Sequence, residues 1–132
     1  MMKNKLMMMV VLVFAITLVH TASLIPAHAA SGSAVEKVVV SISGSKSNVS
    51  CKTYAKGLKG AERIEITMTI QKNSNGVWKN EKTWSGSKNA SVFTLAKSKA
   101  VSTGTYRVKS TIRAYRNSVS ETVTRYSSAV KY

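Results

Sequence analysis

Side chains able to perform acid–base, nucleophilic or metal chemistry are few in this sequence. It has one cysteine, two histidines and five acidic residues, all of them glutamates. Both histidines, His20 and His28, lie in an N-terminal segment that we expect to be removed. The remaining chain therefore cannot assemble a Ser-His-Asp or Cys-His arrangement, or a His and Cys ligand set for zinc. We expect no catalytic activity, no cofactor and no metal site.

One pair of acids has a spacing that could suggest catalysis. Glu62 and Glu65 are close in sequence, and two carboxylates can act as acid and base on a glycosidic bond. The alternation of apolar and polar residues here places the two on opposite faces of a strand. We therefore interpret both as surface groups that balance neighbouring Lys and Arg.

Residues 1–29 have the composition of a secretory signal peptide. Lys3 and Lys5 precede residues 6–19, in which Thr17 is the only polar side chain. As a helix this stretch would span about 21 Å, which is short of the roughly 30 Å hydrocarbon core of a bilayer. The pattern predicts a cleaved helical signal peptide rather than a membrane anchor.

The end of this segment supplies a cleavage site. Ala27 and Ala29 provide the small residues required at positions −3 and −1, and the cut would leave Ala30 as the first residue. No long apolar stretch follows, so the sequence predicts no transmembrane anchor after cleavage. We expect a secreted, extracellular protein that its charge could hold at the cell envelope.

The part of the chain that remains, about 103 residues, is strongly basic. Loss of Lys3 and Lys5 leaves 18 cationic residues against five glutamates, a net charge of +13. Such a surface attracts polyanions at rates that fall with salt. For an exported protein these are anionic wall polymers, lipid headgroups, acidic glycans and extracellular nucleic acid. The alternative is that the charge serves solubility alone.

Apolar and polar residues alternate along most of this region, as in half-buried β-strands. In the clearest strand, Ile64, Ile66, Met68 and Ile70 form one apolar face, and this strand should lie at the centre of a sheet. The following Asn75-Gly76 predicts a tight hairpin, since both residues tolerate positive φ. The pattern as a whole predicts about seven strands and no helix, typical of an antiparallel two-sheet sandwich.

Two tryptophans lie on the returning strand of that hairpin. Trp78 and Trp84 are six residues apart, which places them on the same face of a regular strand. At least one should belong to the core of so small a domain. Residues 85–89 are predicted to form a loop.

Residues 101–109 resemble the start of the penultimate strand in immunoglobulin-like and fibronectin-type domains. There a glycine turn precedes a tyrosine whose hydroxyl bonds back across the corner, and Tyr106 matches that tyrosine. With the Ile-x-Ile-x-Met-x-Ile strand, the Asn-Gly-x-Trp hairpin and Trp84-Ser, the chain is similar to small exported proteins of Gram-positive bacteria, a family of uncharacterised function. The resemblance implies an immunoglobulin-like sandwich over residues 35–132, after a flexible segment at 30–34. It lacks the paired cysteines of antibody domains.

Cys51 is the single cysteine, so no disulfide can form within the chain. It acts either as a small buried apolar residue on a strand or as a free thiol that links two copies. We expect a monomer, with a Cys51-linked dimer as the alternative.

The most ordered cationic surface lies on the strand after Gly104, where alternate residues point outward. Lysines near the two tryptophans could extend it with an aromatic element. The candidate anion-binding face consists of Arg107, Lys109, Arg113, Tyr115, Lys79 and Lys82.

These patterns predict a secreted, non-catalytic, basic β-sandwich domain that binds an anionic cell-envelope polymer or surface. Any binding to nucleic acid should lack sequence specificity and depend strongly on salt. The alternative is a secreted cationic antibacterial or toxin-like effector that acts on anionic membranes. Such an effector should expose an apolar stretch beside its cations, and the sequence contains none outside the signal peptide.

Overall fold

The structure, a computed structural model, describes residues 33–132 of the chain. The predicted signal peptide of residues 1–29, with its cleavage residues Ala27, Ala29 and Ala30, lies outside the described residues. So does the first part of the segment predicted to be flexible.

The described residues form eight β-strands and no helix, which confirms the all-β prediction. All seven predicted strands are present, and a short eighth follows them. The strands are β1 (Val35–Ser45), β2 (Asn48–Gly57), β3 (Ala61–Ser74), β4 (Val77–Lys88), β5 (Val92–Lys99), β6 (Thr105–Arg116), β7 (Val119–Tyr126) and β8 (Val130–Lys131).

The strands pair into two antiparallel sheets. Sheet A has the order β1-β2-β5, and sheet B has the order β4-β3-β6-β7, with β8 paired to the first residues of β6. One buried core cluster takes residues from both sheets. The two sheets are therefore the layers of a sandwich, each with one face on the core and one turned outward.

Strand β3 lies between β4 and β6, as its pattern predicts. Ile64, Ile66, Met68 and Ile70 are all at most 1% exposed. On β6, the residues predicted to face inward are buried as well, and Ser110 lies among them. A strand with its whole apolar face buried is fixed in register, because a one-residue slip would turn that face to solvent.

The turn between β3 and β4 confirms the predicted hairpin. Asn75 and Gly76 have φ values of 52° and 84°, and Ser74 pairs with Val77 on either side of them. Two consecutive residues at positive φ match the twist of the flanking strands, which explains the Asn-Gly pair at this position.

Strand β4 departs from regular alternation at Glu81. Ile70 lies opposite Lys82 while Gln71 lies opposite Asn80, so Glu81 is an extra residue in β4. This bulge reverses the direction of the side chains before it relative to those after it.

The prediction that the two tryptophans share a face is wrong for this reason. Trp84 lies opposite Met68 and packs against the core, as expected for one of the two. Trp78 lies opposite Asn73 on the outward face. The loop predicted at 85–89 is also largely strand, since β4 continues to Lys88. Gly86 permits this close packing, because a Cβ there would lie 3.0 Å from the ring of Phe93.

The start of β1 is held by a carboxylate on β7. Oε1 of Glu121 accepts hydrogen bonds from the backbone N–H of Ala34 at 3.0 Å and of Val35 at 2.8 Å. Ala34, which the sequence assigns to the flexible segment, is completely buried. The contact with β7 thus begins one residue before the first strand.

Two polar contacts order the interior. The Tyr106 hydroxyl donates to the backbone carbonyl of Ser102 at 2.9 Å, which confirms the bond expected across the corner. Between the sheets, the hydroxyl oxygens of Thr53 and Ser110 lie 2.5 Å apart, and both residues are fully buried. The hydroxyls of Thr53 and Ser110 are therefore each satisfied by the other.

Candidate functional site

The outer face of sheet B is the face turned away from sheet A. Register places Arg107, Lys109, Arg113 and Tyr115 together on it, because the neighbouring inward positions of β6 are buried. From Arg107 to Arg113 is six residues, or about 20 Å along the strand. The predicted outward stripe of β6 is thus present as one surface.

The two lysines of the candidate face do not belong to this surface. Lys82 lies opposite the buried Ile70, and Lys79 lies opposite Lys72, beyond the Glu81 bulge. Residues directly opposite in an antiparallel pair point to the same side. Both lysines, although exposed, therefore project on the core-facing side of the edge strand β4, away from Arg107.

At one end of the outer face, the Arg107 guanidinium lies between two aromatic rings. Its Cζ is 4.3 Å from the ring centroid of Trp78 and 4.3 Å from that of Tyr126. The rings come from β4 and β7, on either side of the β3–β6 pair. An arginine in contact with ring faces is attracted by their π-electrons and restricted in its motion.

Hydrogen bonds fix the same arginine from below. Arg107 Nε donates to Gln71 Oε1 at 2.9 Å, and Gln71 Nε2 donates to Asn80 Oδ1 at 2.9 Å. Among the described residues, the two terminal Nη atoms of Arg107 have no hydrogen-bond partner. We call these five residues the Arg107 cluster, in which a cation is held in place by its neighbours: Arg107, Trp78, Tyr126, Gln71 and Asn80.

The other end of the face carries a second group, the Tyr115 cluster of Tyr115, Arg63, Arg113 and Glu65. Arg63 and Arg113 have their Cζ atoms 4.7 Å and 5.1 Å from the Tyr115 ring centroid. The Tyr115 hydroxyl donates to Glu65 Oε2 at 3.1 Å, and Arg63 forms an ion pair with the same carboxylate. Arg113 has no carboxylate partner in the described part of the chain and donates to Ser120 Oγ at 3.2 Å.

Hydroxyl groups fill the space between the two clusters. They form three cross-strand pairs with oxygen distances of 2.9 Å, 3.4 Å and 3.5 Å. Neighbouring strands lie about 4.8 Å apart, so the paired hydroxyls lie side by side across strands β4, β3, β6 and β7. This hydroxyl band consists of Thr67, Thr69, Thr83, Ser85, Thr111 and Thr124.

A shallow depression of about 350 Å³ opens where the hydroxyl band meets the Tyr115 cluster. It lies over β3 and β4, and its polar walls come from Glu65, Thr67, Ser85 and Ser87. Glu65 is directly opposite Arg113 in the β3–β6 register. The depression therefore offers hydroxyls and one carboxylate that pairs with Arg63, and Arg113 lies on the neighbouring strand.

Most cations of the domain lack an acidic partner. Between the described residues two ion pairs form, Lys56 with Glu36 at 3.2 Å and Arg63 with Glu65. Lys109, midway along the outer face, has neither an ion pair nor a hydrogen bond to any described residue. The positive charge of β6 is therefore directed at solvent rather than neutralised internally.

Cys51 lies in the core, not in a site. It is 0% exposed, and burial raises the pKa of its thiol from 9.0 to about 11. A thiol that stays protonated at neutral pH is a poor nucleophile. No three His, Cys, Asp or Glu side chains converge as a metal site within residues 33–132. That part of the chain also contains no helix long and apolar enough to cross a membrane.

Sequence reasoning missed the partners that hold Arg107. Alternation alone puts Gln71 on the outward side, but nothing in the sequence pairs it with Arg107 across strands. The bulge at Glu81 conceals the outward position of Trp78, and Tyr126 lies in the strand with the weakest pattern. A non-alternating stretch between two tryptophans is the one local signal that could have indicated the bulge.

Comparison with known proteins gives no assignment. No protein-family model matches the chain, and no curated protein or solved structure shows significant similarity to it.

Proposed function

We propose that this protein is an exported, non-catalytic domain that binds an anionic polymer of the cell envelope through the outer face of sheet B. The observation that carries the proposal is the Arg107 cluster. It fixes a guanidinium between two rings and a glutamine, while no residue from 33 to 132 accepts a hydrogen bond from its terminal N–H groups.

The physical reason is that a flexible surface arginine loses side-chain entropy when it binds an anion. Arg107 has already lost much of that freedom on folding. Guanidinium groups also present paired N–H donors that match the two oxygens of a carboxylate or phosphate group. A restrained arginine with free donors is thus better suited to anion binding than to solubility alone.

The cations along β6 suit a polymer better than a single small anion. Arg107 and Lys109 are about 7 Å apart, and Lys109 and Arg113 are about 13 Å apart. No single small ion can contact all three. A chain lying along β6 could meet each in turn, with affinity gained from several weak contacts.

We further propose that the sandwich is of the immunoglobulin or fibronectin kind, as the sequence resemblance implies. Support comes from the strand order of the two sheets and from the bond between Tyr106 and the Ser102 carbonyl. One difference from constant-type immunoglobulin sheets is that the fourth strand pairs with β3 instead of β5.

Export is tested by the mass of the protein recovered from culture medium. Cleavage after Ala29 gives a chain that begins at Ala30. A recovered mass equal to that of all 132 residues, or confinement to the cytoplasm, would contradict the proposed export.

Binding is tested by retention of the purified exported protein on isolated cell walls over a salt series. We expect retention at low salt and release as salt rises. Binding releases counterions from the anionic polymer, and a higher salt concentration opposes that release. Absence of retention at low salt would refute the proposal. Release of dye from anionic lipid vesicles, without wall binding, would favour the membrane-active alternative instead.

Three variants separate the role of Arg107 from that of total charge. Arg107→Gln should weaken retention about ten- to hundredfold, since a charge-assisted contact contributes about 1.5 to 3 kcal/mol. Arg125→Gln removes the same charge from an exposed position directed away from the outer face, and should have less than about a twofold effect. Arg107→Lys keeps the charge but loses the planar stacked group, so it should resemble Arg107→Gln more than the wild type.

A further inference from the structure

We infer that the ligand of the outer face of sheet B is an acidic polysaccharide, a chain of sugar units that carry both anionic groups and free hydroxyls. This inference rests on the proposed function and specifies the class of polymer. Its basis is the arrangement of neutral polar groups between the cations.

The hydroxyl band is the first observation. A lipid surface or a polyphosphate needs only cations, yet the centre of this face presents six hydroxyls around Lys109, with further cations at both ends. Hydroxyl groups both donate and accept hydrogen bonds, and so do the hydroxyls of a sugar ring. The band therefore complements the neutral part of a sugar unit.

Glu65 is the second observation. Its carboxylate forms a wall of the depression beside Arg113, on the face that we propose binds a polyanion. An anionic group gains nothing from a carboxylate that Arg63 already neutralises, whereas a sugar hydroxyl could still donate to one of the remaining lone pairs of that carboxylate. The Arg113 position on β6 and the depression over β3 and β4 are one to two strands apart, which is about 5 to 10 Å. A ligand that fits both positions carries its anionic group and its hydroxyl groups close together.

The rings of Trp78 and Tyr126 indicate how a sugar would be bound. Arg107 covers one face of both Trp78 and Tyr126, so these rings are occupied in holding the cation. Recognition of the sugar then depends on hydrogen bonds from the hydroxyl band more than on stacking of sugar rings on tryptophan.

The test compares three polymers with the purified exported protein: polygalacturonate, inorganic polyphosphate of matched charge, and neutral dextran. We expect polygalacturonate to bind at least about tenfold more tightly than polyphosphate at equal ionic strength. Dextran should not bind measurably. Dissociation constants are obtained by calorimetry at two salt concentrations.

A double variant removes hydroxyls without altering charge. Thr67→Val with Thr111→Val should lower the affinity for polygalacturonate about tenfold and leave that for polyphosphate within about twofold. Valine is well tolerated in strands, so the sheet should be retained. Thr94→Val, on the outer face of sheet A, is the matched control. Ser87→Ala probes the depression independently, should the double variant fail to fold.

The outcomes distinguish the two proposals. Polyphosphate that binds as tightly as polygalacturonate, together with no effect of the Thr→Val and Ser87→Ala changes, would overturn the polysaccharide inference and leave the proposed function standing. If neither polyanion binds at low salt, the proposed function itself fails. Binding of dextran as tight as that of polygalacturonate would show that charge is not required, and would overturn both.

Discussion

The hydroxyl groups of Thr53 and Ser110 should be energetically coupled. Removing either one alone should destabilise the protein more than removing both. Their hydroxyl oxygens lie 2.5 Å apart between the sheets, and both residues are fully buried. Thr53→Val keeps the shape of the side chain but leaves the Ser110 hydroxyl without a partner in the core. A buried polar group without a hydrogen bond destabilises a protein by about 1 to 3 kcal/mol.

Removing both hydroxyls should restore most of the stability. Ser110→Ala alone leaves the Thr53 hydroxyl unpaired and should also lower the free energy of unfolding by about 1 to 3 kcal/mol. In the double variant no polar group remains to be satisfied, and the valine methyl adds apolar contact. We expect the double variant to be more stable than either single variant by at least about 1 kcal/mol.

Urea unfolding of the wild type and the three variants measures this cycle. The urea concentration at the midpoint should change, while the slope of the unfolding free energy against urea stays constant. A constant slope shows that the variants expose the same surface on unfolding and differ only in stability. For a domain of this size, 1 kcal/mol corresponds to a shift of about 4 to 8 °C in Tm. If the losses of the single variants simply add in the double variant, the two hydroxyls are not partners and the packing between the sheets is misassigned.

Three further predictions concern stability. Tyr106→Phe should lower the free energy of unfolding by about 0.5 to 1.5 kcal/mol, measured by urea unfolding, because the hydrogen bond to the Ser102 carbonyl is lost. Glu121→Ala should lower it by about 1 to 3 kcal/mol, since the buried N–H of Ala34 loses its acceptor, and hydrogen exchange of that amide should accelerate. Burial raises the pKa of Cys51 to about 11, so the folded state holds this proton more tightly than the unfolded state. The thiol's contribution to stability is then complete below pH 9.0 and is lost as the pH rises towards 11. The difference in unfolding free energy between the wild type and Cys51→Ala should therefore shrink over that range.

Each of these predictions has a contradicting result. A Tyr106→Phe protein as stable as the wild type would mean that the corner bond contributes nothing. Unchanged exchange of the Ala34 amide in Glu121→Ala would show that the carboxylate does not hold β1. A constant difference between wild type and Cys51→Ala from pH 8 to 11 would place the thiol in contact with solvent.

Local pattern was sufficient to predict seven of the eight strands, because apolar residues on one face of each of them pack into or against the core. The set from Ile64 to Ile70 predicts both the central strand and its inward face. Asn75-Gly76 predicts the hairpin, since few other pairs adopt positive φ at two successive positions. Such features depend on neighbours in sequence, and a single chain contains that information.

Features that depend on partners distant in sequence could not be predicted. Arg107 and Gln71 meet only because β6 pairs with β3 in one particular register. A bulge changes the direction of a side chain without any change in residue type, which is why the prediction that Trp78 and Trp84 share a face is wrong. Alternation places the cationic stripe of β6 on an outward face, but it gives no register for Lys79 and Lys82, which join the candidate face only as sequence neighbours of the two tryptophans.

Mapping of the bound polymer on the protein by NMR tests the proposed function most directly. During titration with polygalacturonate at low salt, we expect shifts confined to the outer face of sheet B, with large changes at the Nε–H signal of Arg107 and the indole N–H of Trp78. Raising the salt should reverse them. Shifts confined to the outer face of sheet A, or spread evenly over all lysines and arginines, would contradict a site on sheet B.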